Sequence, residues 1–175
     1  MTDVVSAARR ALKVYSLEPA EWEKRCFTAV NLVSLELLSL RMKHEIVVGN
    51  IEVDGRPYYA TTQASLQTEL DAGYDPILTA NAHTWIEMPD GKVLDPTIIP
   101  TLALRSILHV KWSDAIYLGP GEGQWRGRTL RYMPMLRGLE YYRHVVISAL
   151  PEGVAEDFMK RRADAWADDL AALNR

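Results

Sequence analysis

Apolar residues recur at helical spacing along the first part of the chain. Residues 4–15 place their apolar side chains three or four positions apart, which predicts an amphipathic opening helix. Residues 19–42 keep the same period and contain no glycine, and no proline beyond Pro19, so a second and longer helix is predicted there. Cys26 falls near the start of this second helix.

Short runs rich in β-branched residues follow, and turn residues separate them. Residues 45–54 predict a strand, and the Asp-Gly-Arg-Pro sequence at 54–57 turns the chain back toward residues 58–60. These segments together predict a first hairpin. Residues 61–80 are mostly polar and predict a short helix followed by a loop.

A second hairpin is predicted over residues 83–97, with His83 on its first arm and Asp95 on its second. Side chains alternate between the two faces of a strand, so the length of the loop decides whether these two side chains meet. A two-residue loop would place them on opposite faces. The Pro-Asp-Gly sequence at 89–91 suits a three-residue loop with Gly91 in the left-handed conformation, and that loop places His83 one diagonal step from Asp95.

The remaining pattern mixes helices with irregular structure. Residues 98–111 predict a short helix, and residues 119–128, with three glycines in five positions, predict a loop that serves as a lid or a surface turn. Residues 151–175 begin with proline and acidic residues and space their apolar positions helically, which predicts a closing helix. The elements together predict one α+β domain over residues 1–175, with an N-terminal helical layer packed on an antiparallel sheet.

The composition narrows the classes of protein that need to be considered. The chain has 175 residues, 48% of them hydrophobic, which is enough for one sizeable core. Its 20 basic and 23 acidic residues nearly cancel and form no long block, so neither nucleic acid nor a membrane is expected as a partner. The first residues lack a signal peptide's apolar stretch, and no run reaches transmembrane length. A single cysteine excludes an internal disulfide, and no structural zinc spacing occurs, so we expect a cytoplasmic protein without metal or other cofactor.

Cys26, His83 and Asp95 are the residues most suited to chemistry. A thiol attacks a carbonyl as the thiolate, and a helix N-terminus or a neighbouring histidine lowers the pKa of a cysteine from about 8.5. The predicted helix supplies the first of these to Cys26, and His83 supplies the second when Asp95 holds its tautomer. Taken singly, each residue also has a structural interpretation, as a small buried thiol, a hydrogen-bonded core histidine and a turn aspartate.

Several short motifs follow one another in a specific order. After Cys26 come a predicted helix, a strand with Val-Val-Gly at 47–49, Ala-His-Thr-Trp-Ile-Glu at 82–87 and Leu-Asp-Pro-Thr at 94–97. This order resembles the core of the transglutaminase-like superfamily, which has a papain-like fold. Its members show Cys, a helix, a Val-x-Gly strand, a His-Ala-Trp-Val-Glu motif and an Asp-Pro-Thr ending. The resemblance covers about residues 22–97.

The resemblance implies a role for each matching residue. Position by position, Cys26 would be the nucleophile, His83 the general base and Asp95 the carboxylate that orients it. Substrate-binding or supporting roles would fall to Trp85, Glu87 and Trp22. The residues directly before Cys26 include no glutamine of the kind that completes the oxyanion hole in papain-like relatives, so the second oxyanion donor is unassigned.

The expected function is that of a cysteine-dependent acyl-transfer enzyme. Hydrolysis of a peptide or amide bond through a thioester comes first, with a peptide, an amide or a small acyl compound as the substrate. Acyl transfer to an amine, as transglutaminases and N-acyltransferases carry out, is one alternative. A non-catalytic binding or assembly module on the same scaffold is another, and a metal site formed by the Cys, His and Asp is a third.

Overall fold

Helices and antiparallel strands make up the part of the chain that the structure describes. This computed structural model describes residues 3–15, 18–23, 25–73, 81–106, 108–141 and 145. The helices are α1 (Val4–Lys13), α2 (Cys26–Ser39), α3 (Gln63–Ala72) and α4 (Ile98–Arg105), with a 3-10 helix at Pro19–Trp22. The strands are β1 (Glu45–Val53), β2 (Arg56–Pro57), β3 (His83–Glu87), β4 (Val93–Asp95), β5 (Tyr117–Gly119), β6 (Glu122–Trp125) and β7 (Arg128–Arg137). The predicted α+β class is confirmed.

One antiparallel sheet lies between two layers of helix. Its strand order is β5-β4-β3-β1-β7-β6, and β2 pairs with β1. Successive side chains of β1 point to opposite sides of the sheet. Ile46 and Val48 pack with apolar side chains of α1 and α2, whereas Val47 packs with those of α4. The sheet therefore buries both faces, and its alternating side chains divide between two cores.

The predicted opening helix is confirmed as α1, but the helix predicted over residues 19–42 is two elements. The 3-10 helix ends at Trp22, and Glu23 then adopts an extended conformation with ψ of 133°. α2 begins only at Cys26. The single-helix prediction was wrong because helical spacing of apolar residues does not reveal a short break. The break makes Cys26 the first residue of α2, where backbone amides lack partners within the helix.

The first hairpin has a tighter turn and a shorter second arm than predicted. Asp54 and Gly55 have φ values of 53° and 74°, which suit a two-residue type I′ turn. Val53 pairs with Arg56, and β2 ends one residue later at Pro57. The amide of Tyr58 still donates to the carbonyl of Ile51 at 2.8 Å, but the amide of Ile51 donates to Oδ1 of Asn50 at 2.8 Å instead of to Tyr58, so the pairing ends there.

The second hairpin confirms the predicted three-residue loop. The backbone amide of Met88 donates to the carbonyl of Lys92 at 2.8 Å, so these residues face each other across the turn. Gly91 has a φ of 79°, the left-handed conformation that the loop requires. Because the loop has an odd number of residues, His83 and Asp95 project from the same face of the sheet.

Residues 119–128 form strands rather than the predicted loop or lid. Most of this segment belongs to the ends of β5 and β7 and to β6, with a turn at 126–127. Its glycines allow close packing: a Cβ atom on Gly123 would lie 2.2 Å from Oη of Tyr117, and one on Gly119 would lie 2.7 Å from the same atom. The prediction was wrong because these glycines accommodate an aromatic ring instead of interrupting the sheet.

β7 is the longest strand, and no predicted element corresponds to it. It pairs with β1 along most of its length, with a bulge between Val48 and Gly49. The bulge lies where Pro134 pairs with Gly49. Proline is tolerated inside a sheet at such irregularities, so β7 continues through a residue that argues against a strand in the sequence.

Of the other three predicted helices, one is confirmed, one is shorter than predicted and one lies outside the described residues. The short helix within residues 61–80 is confirmed as α3, whose first turn is closed by a capping box between Thr62 and Ser65. The helix predicted over residues 98–111 is α4, which ends at Arg105. The closing helix predicted over residues 151–175 lies outside the described residues.

Candidate active site

A buried pair of side chains forms the centre of the candidate site. Nε2 of His83 lies 2.5 Å from Oδ2 of Asp95, and the two side chains are 1% and 0% exposed. His83 opens β3 and Asp95 closes β4, so the second hairpin alone brings them together. A hydrogen bond this short between two fully buried groups gives the imidazole a fixed orientation.

The carboxylate of Asp95 is held by donors on both oxygens. Oδ1 accepts from the backbone amides of Thr97 and Ile98, at 2.8 and 3.0 Å, and from the Thr97 hydroxyl at 3.2 Å. Oδ2 accepts from His83 and from the hydroxyl of Tyr132 at 3.0 Å. Burial raises the pKa of Asp95, but the charge and hydrogen bond of His83 and the two amides outweigh it and hold that pKa below its ordinary value. Asp95 is therefore a fixed negative charge.

This charge determines the state of His83. Burial lowers the pKa of His83, but the charge and hydrogen bond of Asp95, with smaller contributions from Cys26, outweigh it and raise the pKa to about 10. The imidazolium form is favoured over the neutral form at neutral pH as a result.

The second nitrogen of the same imidazole, Nδ1, makes no hydrogen bond to the described residues. This nitrogen is buried. Since Nε2 is committed to Asp95, Nδ1 is the atom left to exchange a proton with a third group.

Cys26, the predicted nucleophile, is close enough to His83 to contribute to its raised pKa. It is 4% exposed, and Sγ lies 3.9 Å from the backbone carbonyl oxygen of Ala82, the residue that precedes His83. Arg25, at the N-cap of α2, makes no side-chain hydrogen bond to the first turn. The thiol therefore lies at a helix N-terminus without a side-chain cap, close to the buried histidine.

Aromatic rings enclose the imidazole. Tyr59 stacks on His83 with ring centroids 5.6 Å apart and an interplanar angle of 14°. Trp85 and Tyr132 have their centroids 6.1 and 6.4 Å from it. Burial, together with the neighbouring charge of Asp95, raises the pKa of Tyr132 well above its ordinary value, so its hydroxyl stays a hydrogen-bond donor.

Asn50 fixes the backbone that carries Tyr59. Its Oδ1 accepts from the Tyr59 amide at 3.1 Å, and its Nδ2 donates to the Tyr59 carbonyl at 2.6 Å. Asn50 lies on β1 and is 3% exposed, so a buried amide side chain ties the segment after β2 to the sheet. The ring over His83 is thereby held in place.

The three residues predicted to support the site occupy different positions. Trp85 is fully buried beside His83, on the same face of β3. Trp22 is buried in the core beneath α1 and α2, and its indole nitrogen has no hydrogen-bond partner among the described residues. Glu87 closes the far end of β3 and pairs with Arg137 at 2.5 Å, so it joins strands rather than contacting the pair.

Sequence reasoning missed three contributors to the site. Thr97 was visible in the Asp-Pro-Thr motif, because an aspartate two residues before an amide commonly accepts from it. Tyr132 is separated from Asp95 by 37 residues and reaches it only because β7 pairs with β1. Tyr59 follows a turn whose local pattern says nothing about His83. Neither tyrosine has a local signal in the sequence.

Comparisons with known proteins do not identify a family for this chain. No protein-family model, curated protein or solved structure matches the chain. Within the described ranges, no group of three or more His, Cys, Asp and Glu side chains is placed to hold a metal ion. In the same part of the chain, every helix is too short or too polar to cross a membrane.

Proposed function

We propose that the protein is a cysteine-dependent acyl-transfer enzyme of the papain-like, transglutaminase-like type, which hydrolyses a peptide or amide bond. One observation carries this proposal. A buried histidine has one nitrogen bonded to a fully satisfied aspartate. Its other nitrogen has no hydrogen-bond partner among the described residues, and a thiol at a helix start lies close enough to help raise the pKa of the histidine. A purely structural histidine would be expected to have both nitrogens satisfied, because a buried unpaired polar atom is costly.

The first step is the attack of Cys26 on the substrate carbonyl. In the proposed resting state the proton of the thiol already lies on Nδ1 of His83, where Asp95 stabilises the imidazolium, and Cys26 attacks as the thiolate. The sulfur forms a bond to the carbonyl carbon, and the carbonyl π electrons move to oxygen. When the tetrahedral intermediate collapses, His83 returns the proton to the leaving amine and a thioester remains on Cys26.

The second step regenerates the enzyme. A water molecule gives a proton to His83 as its oxygen attacks the thioester, and collapse of the tetrahedral intermediate releases the acid product and the thiolate of Cys26 beside the imidazolium. An amine in place of water would give acyl transfer by the same steps. The amides at the uncapped start of α2, that of Cys26 among them, are the donors available to the oxyanion in both steps.

A non-catalytic module is the second candidate, and the burial of the site favours it. Cys26 and His83 are only 4% and 1% exposed, so the described residues leave little room for a substrate at the sulfur. A scaffold that has lost turnover would keep the buried pair for stability alone.

Alkylation of Cys26 separates the two candidates. We expect iodoacetamide at pH 6 to alkylate the wild-type protein at least about tenfold faster than free cysteine, because the imidazolium favours the thiolate. The His83→Ala variant should lose this advantage, whereas His109→Ala, which removes an exposed histidine, should retain it. A wild-type rate no higher than that of free cysteine, in a folded protein, would overturn the enzymatic proposal.

A further inference from the structure

A cavity lined by arginines lies on the surface next to the candidate site. It has a volume of about 470 Å³, and its lining includes Arg56, Arg105 and Arg128, with Asp54 as the acidic side chain among its described lining residues. The whole chain has a formal net charge of −3, so an excess of positive charge at one cavity is a local feature. Such a cavity attracts anions.

Two of the three arginines have no carboxylate partner among the residues that the structure describes. Arg128 pairs with Asp54 at 3.1 Å, which neutralises one charge. Neither Arg56 nor Arg105 forms an ion pair with another described residue. Two unpaired guanidinium groups at one cavity repel each other, and an anionic ligand would relieve that repulsion.

Arg105 is also held in an orientation that suits a carboxylate. Its guanidinium lies over the ring of Tyr58, 4.3 Å from the centroid. Stacking occupies the face of the planar group and leaves the N–H bonds at its edge free, and these are the donors that bind a carboxylate with two parallel hydrogen bonds.

A short chain of ring contacts connects this cavity to the imidazole. The rings of Tyr58 and Tyr59 are 5.0 Å apart, and Tyr59 stacks on His83 at 5.6 Å. Tyr58 lines the cavity itself. These three steps place the guanidinium of Arg105 no more than about 15 Å from the imidazole, a distance that about four residues of an extended peptide can span.

We propose that this cavity binds a carboxylate of the acyl donor, so that the enzyme prefers an acidic substrate. The inference rests on the proposed function, because it assigns the cavity to the substrate of Cys26. The carboxylate belongs either to an acidic side chain or to a chain end within about four residues of the scissile bond, since both present the same group to Arg105.

Two pairs of electrophiles test the preference and distinguish the two sources. Chloroacetyl-triglycyl-glutamate amide is compared with chloroacetyl-triglycyl-glutamine amide, and chloroacetyl-tetraglycine with its amide. In each pair only the charge changes. We expect the charged member of at least one pair to alkylate Cys26 about tenfold faster than its neutral partner, which is the rate ratio that one hydrogen bond between charged groups would give. This preference should shrink in 1 M salt, because salt screens the charges.

Variants locate the preference in the cavity. Arg105→Gln and Arg56→Gln should reduce the preference to about twofold or less while the neutral probes react unchanged. Arg41→Gln is the matched control, because Arg41 is an exposed arginine at the opposite end of α2 from Cys26, and it should keep the preference. Equal rates for charged and neutral probes, with both still dependent on His83, would overturn the acidic preference and leave the proposed function standing.

A binding measurement covers the case in which Cys26 does not react. Acetyl-glutamate amide and acetyl-glycine are titrated into the wild-type protein and into Arg105→Gln, and the shifts of the arginine side-chain NMR signals are recorded. Saturable shifts that Arg105→Gln abolishes would support the carboxylate site even if Cys26 proved inert, which would overturn the proposed function alone. Absence of binding by both compounds would overturn the site.

Discussion

Tyr132 donates a hydrogen bond to the same carboxylate oxygen of Asp95 that accepts from His83. The tyrosine lies on β7 and the other two residues lie on the second hairpin, so the pair is fastened from a strand on the other side of β1. Asp95 consequently belongs to the core of the sheet as well as to the candidate site, and a substitution there should affect both stability and chemistry.

The first prediction concerns Asp95→Asn and pH. His83 has its pKa raised from 6.5 to about 10, so its contribution to stability is complete below pH 6.5 and is lost as the pH rises toward 10. The wild type should therefore lose stability relative to Asp95→Asn between pH 6 and pH 9, with a slope of at most about 1.4 kcal/mol per pH unit.

Urea unfolding of both proteins at several pH values measures this difference. Asp95 has its pKa lowered, so its own contribution is complete above its ordinary value of 3.8 and disappears as the pH falls through the lowered value. The pair should be most stabilising between these limits. Parallel curves for the two proteins from pH 6 to pH 9 would contradict the assigned ion pair.

The second prediction concerns Tyr132→Phe. The ring stays in the core, but Asp95 loses one of its donors, so we expect a loss of about 1 to 3 kcal/mol in the free energy of unfolding. Alkylation of Cys26 should slow severalfold because His83 is held less firmly. Tyr117→Phe is the control: it removes a hydroxyl that donates to the carbonyl of Pro120 at 2.8 Å, and it should destabilise without slowing alkylation. Equal alkylation rates for both variants would mean that Tyr132 serves stability alone.

The third prediction concerns the length of the loop at residues 89–91. Deleting Asp90 leaves two residues, which places His83 and Asp95 on opposite faces unless the strands shift, so the pair and the reactivity of Cys26 should be lost. Inserting one glycine should do the same. Inserting two glycines restores an odd length and should retain much of the reactivity, at a small cost in loop entropy.

Asp90→Asn is the control for this series, because it keeps the length and removes only an exposed pair with Lys92. It should behave like the wild type in thermal unfolding and in alkylation. A one-residue insertion that retained full reactivity would show that the strands can slip without penalty.

The fourth prediction concerns Gly49, which pairs directly with His83 across the strands. A Cβ atom there would lie 2.1 Å from the carbonyl oxygen of Met133 and 3.0 Å from the ring of Trp85. Gly49→Ala must therefore move β7 or Trp85, and we expect a loss of about 1 to 3 kcal/mol or more in thermal or urea unfolding. Gly121→Ala, with nothing within 4 Å of the added atom, should change little. Equal stabilities would contradict the close approach of β7.

The sequence predicted the parts of the site that depend on local rules. The hairpin of His83 and Asp95 followed from alternation and from the Pro-Asp-Gly loop. Helical periodicity placed Cys26 in a helix but not at its first residue, because it did not reveal the break after Trp22. These features involve neighbours along the chain. The Val-x-Gly motif likewise has a local cause that becomes visible in the structure, since Gly49 lets β7 approach.

The parts that escaped prediction depend on contacts between distant segments. β7 reads poorly as a strand because of Pro134, and only its pairing with β1 shows that a bulge accepts the proline. The role of Tyr132 depends on that pairing. The glycines near residue 120 suggested a loop. In the structure the ring of Tyr117 leaves no space for a side chain at Gly119 or Gly123, and this packing cannot be inferred from the spacing of the glycines.

The odd loop between β3 and β4 also tells how distant relatives of this chain should be recognised. Any relative that keeps the histidine–aspartate pair on a plain hairpin must separate the two residues by an even number of positions, as His83 and Asp95 are. Insertions and deletions in the turn should therefore occur two residues at a time, and a loop of the same length should keep a glycine or asparagine at the left-handed position of Gly91. An alignment of candidate relatives is therefore better judged by this spacing than by identities in the turn.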